Sequence, residues 1–294
     1  MRFILVCGFL LLAACQSLPP VPAWQSPEGR QHPDLGVILD LRDGRRLSPD
    51  ELVDALAPVP RVLVGEQHDN PDHHALELWL LQALEQRRSQ GSLLMEMLTP
   101  SQQARVDAVR GQSVADLPKA LDWEGGWDWS LYGPLVRHGL AQPYPLLAAN
   151  LDRDEILAIY RQPPRLEGAA ATAPAVQAKL TEQVRQSHCG LLPESQFPPM
   201  VAVQQQRDRR MAERLLAAPA PALLVAGSYH ARRDLGAPLH LADIGLEPDQ
   251  ARVVILAEAG KAVDAAEADF VWYTAAVTPV DHCAEMRKQM HTRP

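Results

Sequence analysis

Two short segments of this 294-residue chain share one pattern, Gly65-Glu66-Gln67-His68 and Gly227-Ser228-Tyr229-His230, in which a histidine follows a glycine by three positions. Each segment follows an apolar run, RVLV (Arg61 to Val64) and ALLVA (Ala222 to Ala226). Glu96, near the end of SLLMEM, and Asn150, after YPLLAA, put polar groups behind two more such runs. Imidazoles and carboxylates gathered at one place serve a small set of chemistries. Glu66, His68, Glu96 and His230 suit a divalent ion such as Zn or Mn, with two imidazoles and one carboxylate as ligands while the other carboxylate activates water for hydrolysis. Without a metal, His68 is a general base oriented by Glu66 or Glu96. Taken singly, a histidine at a strand end is most often a hydrogen-bonded loop residue. The repetition, together with the two glutamates, favours a functional rim.

Other constellations are weaker. His73-His74 follows Asp69 and Asp72, and on a helix Asp69 and His73 would share a face as metal-binding pairs do. The competing reading makes Asn70-Pro71-Asp72 a helix start, with Asp72 at the positive end of the dipole and the histidines in the first turn. Gln204 and Asp208, four apart on a helix whose other face carries Met200, Val203, Met211 and Leu215, point either into the site or to solvent, and solvent is the preferred reading. Ser228 lies in GSYH rather than in a G-x-S-x-G elbow. The absence of a P-loop and of G-x-G-x-x-G leaves nucleotide chemistry without footing.

The elements that must position these residues alternate. Strand patterns cover Arg61 to Val64, Ser92 to Met97, Tyr144 to Ala149, Ala222 to Ala226, Arg252 to Ala257 and Asp269 to Thr274. Most are continuous apolar runs, as in strands buried on both faces. Helical patterns fall between them, near Pro49 to Leu56, Asp72 to Arg88, Pro100 to Arg110, Tyr132 to Ala141, Asp152 to Tyr160, Pro174 to Gln186 and Pro199 to Ala217. The alternation predicts an α/β fold, a mostly parallel central sheet with helices on both faces and a ligand crevice at the strand carboxyl ends. Gly65 and Gly227 are expected to let the chain turn sharply and approach a ligand closely. Around Pro163 to Pro174, Ala, Pro and Gly crowd together and predict a segment of low order.

At chain level, 47% apolar residues rule out disorder, and 28 Lys+Arg against 36 Asp+Glu give a net charge of −8 that argues against a nucleic-acid partner. One domain, 34–294, is the simpler reading. Met1 to Cys15, MRFILVCGFLLLAAC, has one basic residue ahead of an apolar run too short for a bilayer core of about 20 residues, which predicts a signal peptide over 1–14. Its end, Leu12-Ala13-Ala14-Cys15, resembles a bacterial lipobox, which implies cleavage before Cys15 and acylation, palmitate included, of a lipoprotein. Gln16 in second position resembles the outer-membrane sorting pattern. The stretch 15–33 then reads as a lipidated, proline-rich tether. Of four cysteines, Cys189 and Cys283 remain in the domain, and in an oxidising periplasm they are a disulfide candidate. Two free thiols are the alternative.

RVLVGEQHDNPDHHALELWLLQAL, the strand with Glu96, WEGGWDWSLYGPL running on to AAN, HCGLLPE, QQQRDRRMAERLL and AGSYHARRDLGAPLHL together resemble the ChaN-like haem-binding lipoproteins, in the wider group of erythromycin-esterase-like and Tiki-type proteins. The resemblance spans about Val59 to Cys283. It implies an envelope lipoprotein with a part in haem or iron uptake, holding haem at a largely apolar surface that doubles as a dimer contact.

Ferric iron in an oxidising compartment is hard, so a Tyr phenolate is a reasonable axial ligand with His as the usual competitor. Among Tyr132, Tyr144, Tyr160, Tyr229 and Tyr273, Tyr144 and Tyr273 fall within apolar runs and read as core. Tyr132 is the first choice for the haem iron, because it follows Trp123, Trp127 and Trp129, which either offer flat faces to a porphyrin or form a packed corner. Tyr229, inside the second GxxH, comes next. His68, His73, His230, Arg232 and Arg233 are the expected neighbours of the cofactor and its propionates. The leading expectation is thus a haem-binding protein anchored to the outer membrane through Cys15, dimerising around haem and exchanging it with an uptake receptor or a periplasmic carrier. The alternative is a metal-dependent hydrolase.

Overall fold

The computed structural model describes residues 18–292, with side chains as far as residue 288; the expected signal segment and Cys15 lie outside the described residues. The chain begins with a short hairpin, β1 (Ile38–Asp40) and β2 (Arg45–Leu47), followed by α1 (Pro49–Leu56), β3 (Arg61–Glu66), α2 (Pro71–Glu85) and β4 (Ser92–Met95). Next, α3 (Gln103–Val109), α4 (Leu117–Leu121) and α5 (Trp129–Ala141) precede β5 (Leu146–Ala148). After α6 (Arg153–Arg161), α7 (Pro174–Ser187) and α8 (Phe197–Ala217) come β6 (Ala222–Gly227), α9 (Ser228–Ala231) and α10 (Ala237–Asp243). The last elements are β7 (Ala251–Glu258), β8 (Phe270–Thr274) and α11 (His282–Thr292).

The eight strands form one sheet in the order β2-β1-β8-β7-β3-β6-β4-β5. From β8 to β5 neighbouring strands are parallel, and only the β1–β2 hairpin and its pairing with β8 are antiparallel. Alternate residues of each strand enter opposite cores. Val62, Val64, Leu93, Met95, Leu223 and Val225 pack with α1, α2 and α5, whereas Leu63, Leu94, Leu224 and Ala226 pack with α8 and α10. Burial on both faces is what makes these strands continuous apolar runs. From β3 the chain proceeds to β4 and β5 on one side and later to β7 and β8 on the other. The carboxyl ends of β3, β6 and β7 therefore flank the switch in strand order where open α/β sheets keep their crevice.

Local chemistry sets the helix starts that position the site. Ser48 and Glu51 form a capping box on α1. Asn70 caps α2 by accepting the Asp72 N–H at 2.9 Å, with Pro71 in the first turn. The capping reading of Asn70-Pro71-Asp72 therefore holds.

Three expectations change. Leu18 to Pro33, read as part of a tether, lies along the domain: the Trp79 Nε1–H donates to the Pro19 carbonyl at 2.9 Å, the Ser26 N–H donates to Asp72, and Glu28 bridges to Ala276. The segment from Pro163 to Pro174 has little regular structure before α7, yet it is tied down. The Asp243 carboxylate accepts the N–H groups of Ala170 and Ala171 at 2.8 and 2.9 Å. Thirdly, β1 and β2 join the sheet although sequence patterning does not reveal them. Cys189 and Cys283 form a disulfide with Cα atoms 5.6 Å apart, fastening α11 to the turn after α7. Among the described residues, no helix is long and apolar enough to cross a membrane.

Candidate functional site

A cavity of ≈ 550 Å³ opens beyond the carboxyl ends of β3, β6 and β7. It is lined by both glycine-led segments, including Glu66, His68, Gly227, Tyr229 and His230, and by Glu96. The two GxxH motifs therefore share one crevice, as their repetition implies. The glycines serve there by close approach, not by a left-handed turn. Neither has a positive φ. A Cβ at Gly65 would lie 2.5 Å from Ile255 Cδ1 and 2.9 Å from Ala231 Cβ, and one at Gly227 would lie 2.7 Å from His68 Cε1.

Each histidine is paired with acids. His68 Nδ1 makes a short hydrogen bond to Glu66 Oε1, and its ring is half-exposed. Partial burial lowers its pKa, but the hydrogen bond and charge of Glu66 raise it more, to about 9. His230 is buried between Asp208, 2.6 Å from its Nδ1, and Glu96, 3.4 Å from its Nε2. Burial again opposes protonation, but Glu96 and Asp208 together push the imidazole above its ordinary value. Burial raises Asp208 to about 6 despite His230. Glu96 moves the other way: burial raises it, but His230, His68 and the Gly227 N–H more than offset this and hold it below the usual carboxylate range. The Gly227 N–H donates to Glu96 Oε2 at 2.8 Å, which ties β4 to β6 at the rim.

Sequence reasoning put the haem iron on Tyr132, and the structure argues against that choice. Tyr132 is 1% exposed, and its phenol donates to Glu66 Oε1 at 3.2 Å and sits 3.1 Å from His68 Nδ1. Burial and the adjacent carboxylates drive its pKa far upward, which disfavours a phenolate. Trp123 and Trp129 meet edge to face at 5.0 Å over this region, so the packed-corner reading describes them, while Trp127 lines the cavity and meets His68 at 5.0 Å. Tyr144 and Tyr273 are buried, as expected of core residues. Tyr229 is 47% exposed and is the tyrosine that lines the cavity, with the Arg232 guanidinium 5.8 Å from its ring centroid.

Two further assignments move. His73 is fully enclosed, its Nδ1 accepting the Gln67 N–H at 2.9 Å and its Nε2 donating to Thr274 Oγ1. Burial depresses its pKa strongly, so it is a neutral structural histidine without access to the crevice. Arg233 pairs with Asp269 and does not line the cavity. Its place is taken by Arg207, Arg232 and Lys261. Arg232 is engaged by Asp234 and Glu267, and Lys261 by Glu258. Arg207 has no hydrogen bond or ion pair among the described residues, and its Nε is buried without a partner. Asp208 and Gln204, read as facing solvent, instead face His230, with Gln204 Nε2 3.1 Å from His230 Nδ1. Their four-residue spacing was the available signal, and nothing in that spacing shows which face of α8 meets the sheet.

The rim metal site also changes. Among the described residues, the potential ligand atoms that lie within 4.8 Å of one another belong to Glu66, His74 and Glu77, not to Glu66, His68, Glu96 and His230 together.

Residues 52–241 match the family model described as haem-binding uptake, Tiki superfamily, ChaN. The structure of ChaN of Campylobacter jejuni with cofacial heme binding is similar at 29% identity with a TM-score of 0.76, covering 86% of this chain and 100% of that one. An erythromycin esterase, a mutant EreC in its open conformation, is similar at 12% identity with a TM-score of 0.45, covering 83% of this chain and 82% of its own. No curated protein matches the chain. With the family model spanning more than half of the sequence and the α/β sheet shared with a solved member, the chain belongs to the ChaN family of haem-binding uptake proteins in the Tiki superfamily.

Proposed function

We propose that this protein carries haem at the mouth of the β3–β6–β7 crevice, where Tyr229 would hold the iron through its phenol oxygen. The observation that carries this reading is the exposure of Tyr229: the cavity offers one accessible phenol, where a hard ferric ion would find it. The residues present fit the group. Arg207 supplies a cation with an unsatisfied buried nitrogen suited to a propionate. Trp127 and the apolar ends of β7, Ile255 and Leu256, provide surface for the ring. The ChaN structure from Campylobacter jejuni binds heme cofacially, which supports two chains presenting their haems to each other through the exposed Tyr229 face. The lipobox-like Leu12-Ala13-Ala14-Cys15 supports an outer-membrane anchor through acylated Cys15, and the protein would exchange haem with an uptake receptor or periplasmic carrier. A hydrolase is the weaker reading, because the four rim residues do not gather as one ligand set.

Titrating haemin into the full chain in detergent, with sizing in parallel, tests this. The expected result is a Soret change that saturates at a fixed stoichiometric ratio, with a shift to the dimer. A change that grows without saturation would refute specific carriage. Loss of membrane association in Cys15→Ser checks the anchor.

A further inference from the structure

Behind the crevice lies a cluster of which only Glu66 reaches the cavity. Glu66 ends β3, while His74 and Glu77 are three residues apart on α2 and so lie on one side of that helix. Their side chains are 0%, 3% and 0% exposed, and one ligand atom of each lies within 4.8 Å of the other two. Neither His74 nor Glu77 lines the cavity, and the Tyr132 ring stands edge-on to His74 at 4.3 Å.

Two features point to a bound cation. Glu66 Oε2 and Glu77 Oε1 are shut away from solvent without a hydrogen-bond partner, and a carboxyl oxygen buried in that state is costly unless a proton or a cation satisfies it. The His68 carbonyl also orients His74 as backbone carbonyls orient metal-bound imidazoles. The His74 Nε2 faces the His68 carbonyl oxygen at 3.1 Å, which leaves Nδ1, 3.2 Å from Glu77, as the atom that would bind an ion in exchange for the proton that Glu77 and Glu66 favour on the ring. Two carboxylates and one imidazole suit a divalent first-row ion.

We propose that Glu66, His74 and Glu77 form a buried site for one divalent transition-metal ion on the inner side of the crevice wall, sharing Glu66 with that wall and stabilising the junction of β3 with α2. The ion binds the folded chain and not the unfolded one, so it raises stability by mass action.

The test uses the full chain, unfolded with a chelator and refolded with Mn2+, with Zn2+ or with neither, then passed through a desalting column. The proposal expects retention near one ion per chain and a higher unfolding temperature with at least one of the two ions. Glu77→Gln should weaken retention by at least the roughly 100-fold that losing even an outer-shell partner can cost, with haemin titration unchanged. Should that variant fail to fold, Co2+ added during refolding of the wild-type chain gives the second readout, a visible absorption from nitrogen and oxygen ligation. Wild-type protein that retains no ion above a chelator-treated control, shows no thermal shift and gives no Co2+ absorption would overturn the proposal. Equal retention by a folded Glu77→Gln would do the same. Haemin saturation is read separately, so failure here leaves the haem reading standing, and the reverse also holds.

Discussion

The carboxylate of Glu96 accepts the backbone N–H of Gly227 at 2.8 Å, joining the end of β4 to the end of β6 where the second GxxH segment begins. The same carboxylate faces His230 at 3.4 Å. One buried acid thus fixes both the main chain and the imidazole of that segment, leaving the intervening Tyr229 to project into the open.

The two glycines should respond differently to alanine. At Gly65 the added carbon meets Ile255, Ala231 and Ser228 at 2.5 to 3.0 Å, all inside the sheet–helix packing. Gly65→Ala should cost about 1–3 kcal/mol in urea unfolding, as overpacked cores do. At Gly227 the clash is with the half-exposed His68 ring, which can swing away. Gly227→Ala should keep stability within about 1 kcal/mol while breaking the His68–Glu66 contact, seen as a changed imidazole NMR signal.

Reduction of the Cys189–Cys283 bridge should be costly. It closes a loop across a sequence separation of 94, and the chain-entropy model gives about 4.7 kcal/mol for a loop of that length. Urea midpoints with and without reductant should differ accordingly, and Cys283→Ser should show the lower midpoint in both.

His240 should make the protein acid-sensitive. Burial lowers its pKa to about 4, with Arg209 acting in the same direction and Asp243 and Glu213 opposing. Below pH 6.5 the unfolded chain takes up a proton that the folded one refuses. The stabilisation is therefore complete above pH 6.5 and is lost as pH falls toward 4, by about 2–3 kcal/mol. In His240→Gln the loss of stability between pH 7 and pH 4 should be smaller than in the wild type, as read by urea unfolding at each pH.

Arg207→Gln should weaken haemin binding about 10- to 100-fold, the range for losing a charge-assisted hydrogen bond. The dimethyl ester of haemin, which lacks both propionate charges, should bind the wild type and Arg207→Gln about equally. A penalty that persists with the ester would show that Arg207 acts through packing rather than charge.

Much of the fold was legible because strands covered on both faces must be apolar throughout, and six such runs became β3 to β8. The hairpin β1–β2 was hidden because its strands are three residues long and two positions of Arg45–Leu47 are exposed, which leaves no pattern to read. The crevice was legible for a related reason: the residues following each apolar run must gather at the carboxyl edge of a parallel sheet, which brought His68 and His230 together. Side-chain depth was not legible. Tyr132 and Tyr229 look equally suited to iron as letters, and only the packing of α5 against α2 encloses the first while the short turn of α9 exposes the second. Asp208 was missed for the mirror reason, since a charged residue on a long helix reads as solvated until the helix is seen to lay it against His230.

The most direct test of haem carriage through Tyr229 is a parallel haemin titration of the wild type, Tyr229→Phe and Tyr132→Phe, read by the Soret band and the ligand-to-iron charge-transfer absorption. Tyr229→Phe should lose the phenolate signature and bind far more weakly, while Tyr132→Phe keeps the signature. A Tyr229→Phe protein that keeps the wild-type spectrum and affinity would contradict the account.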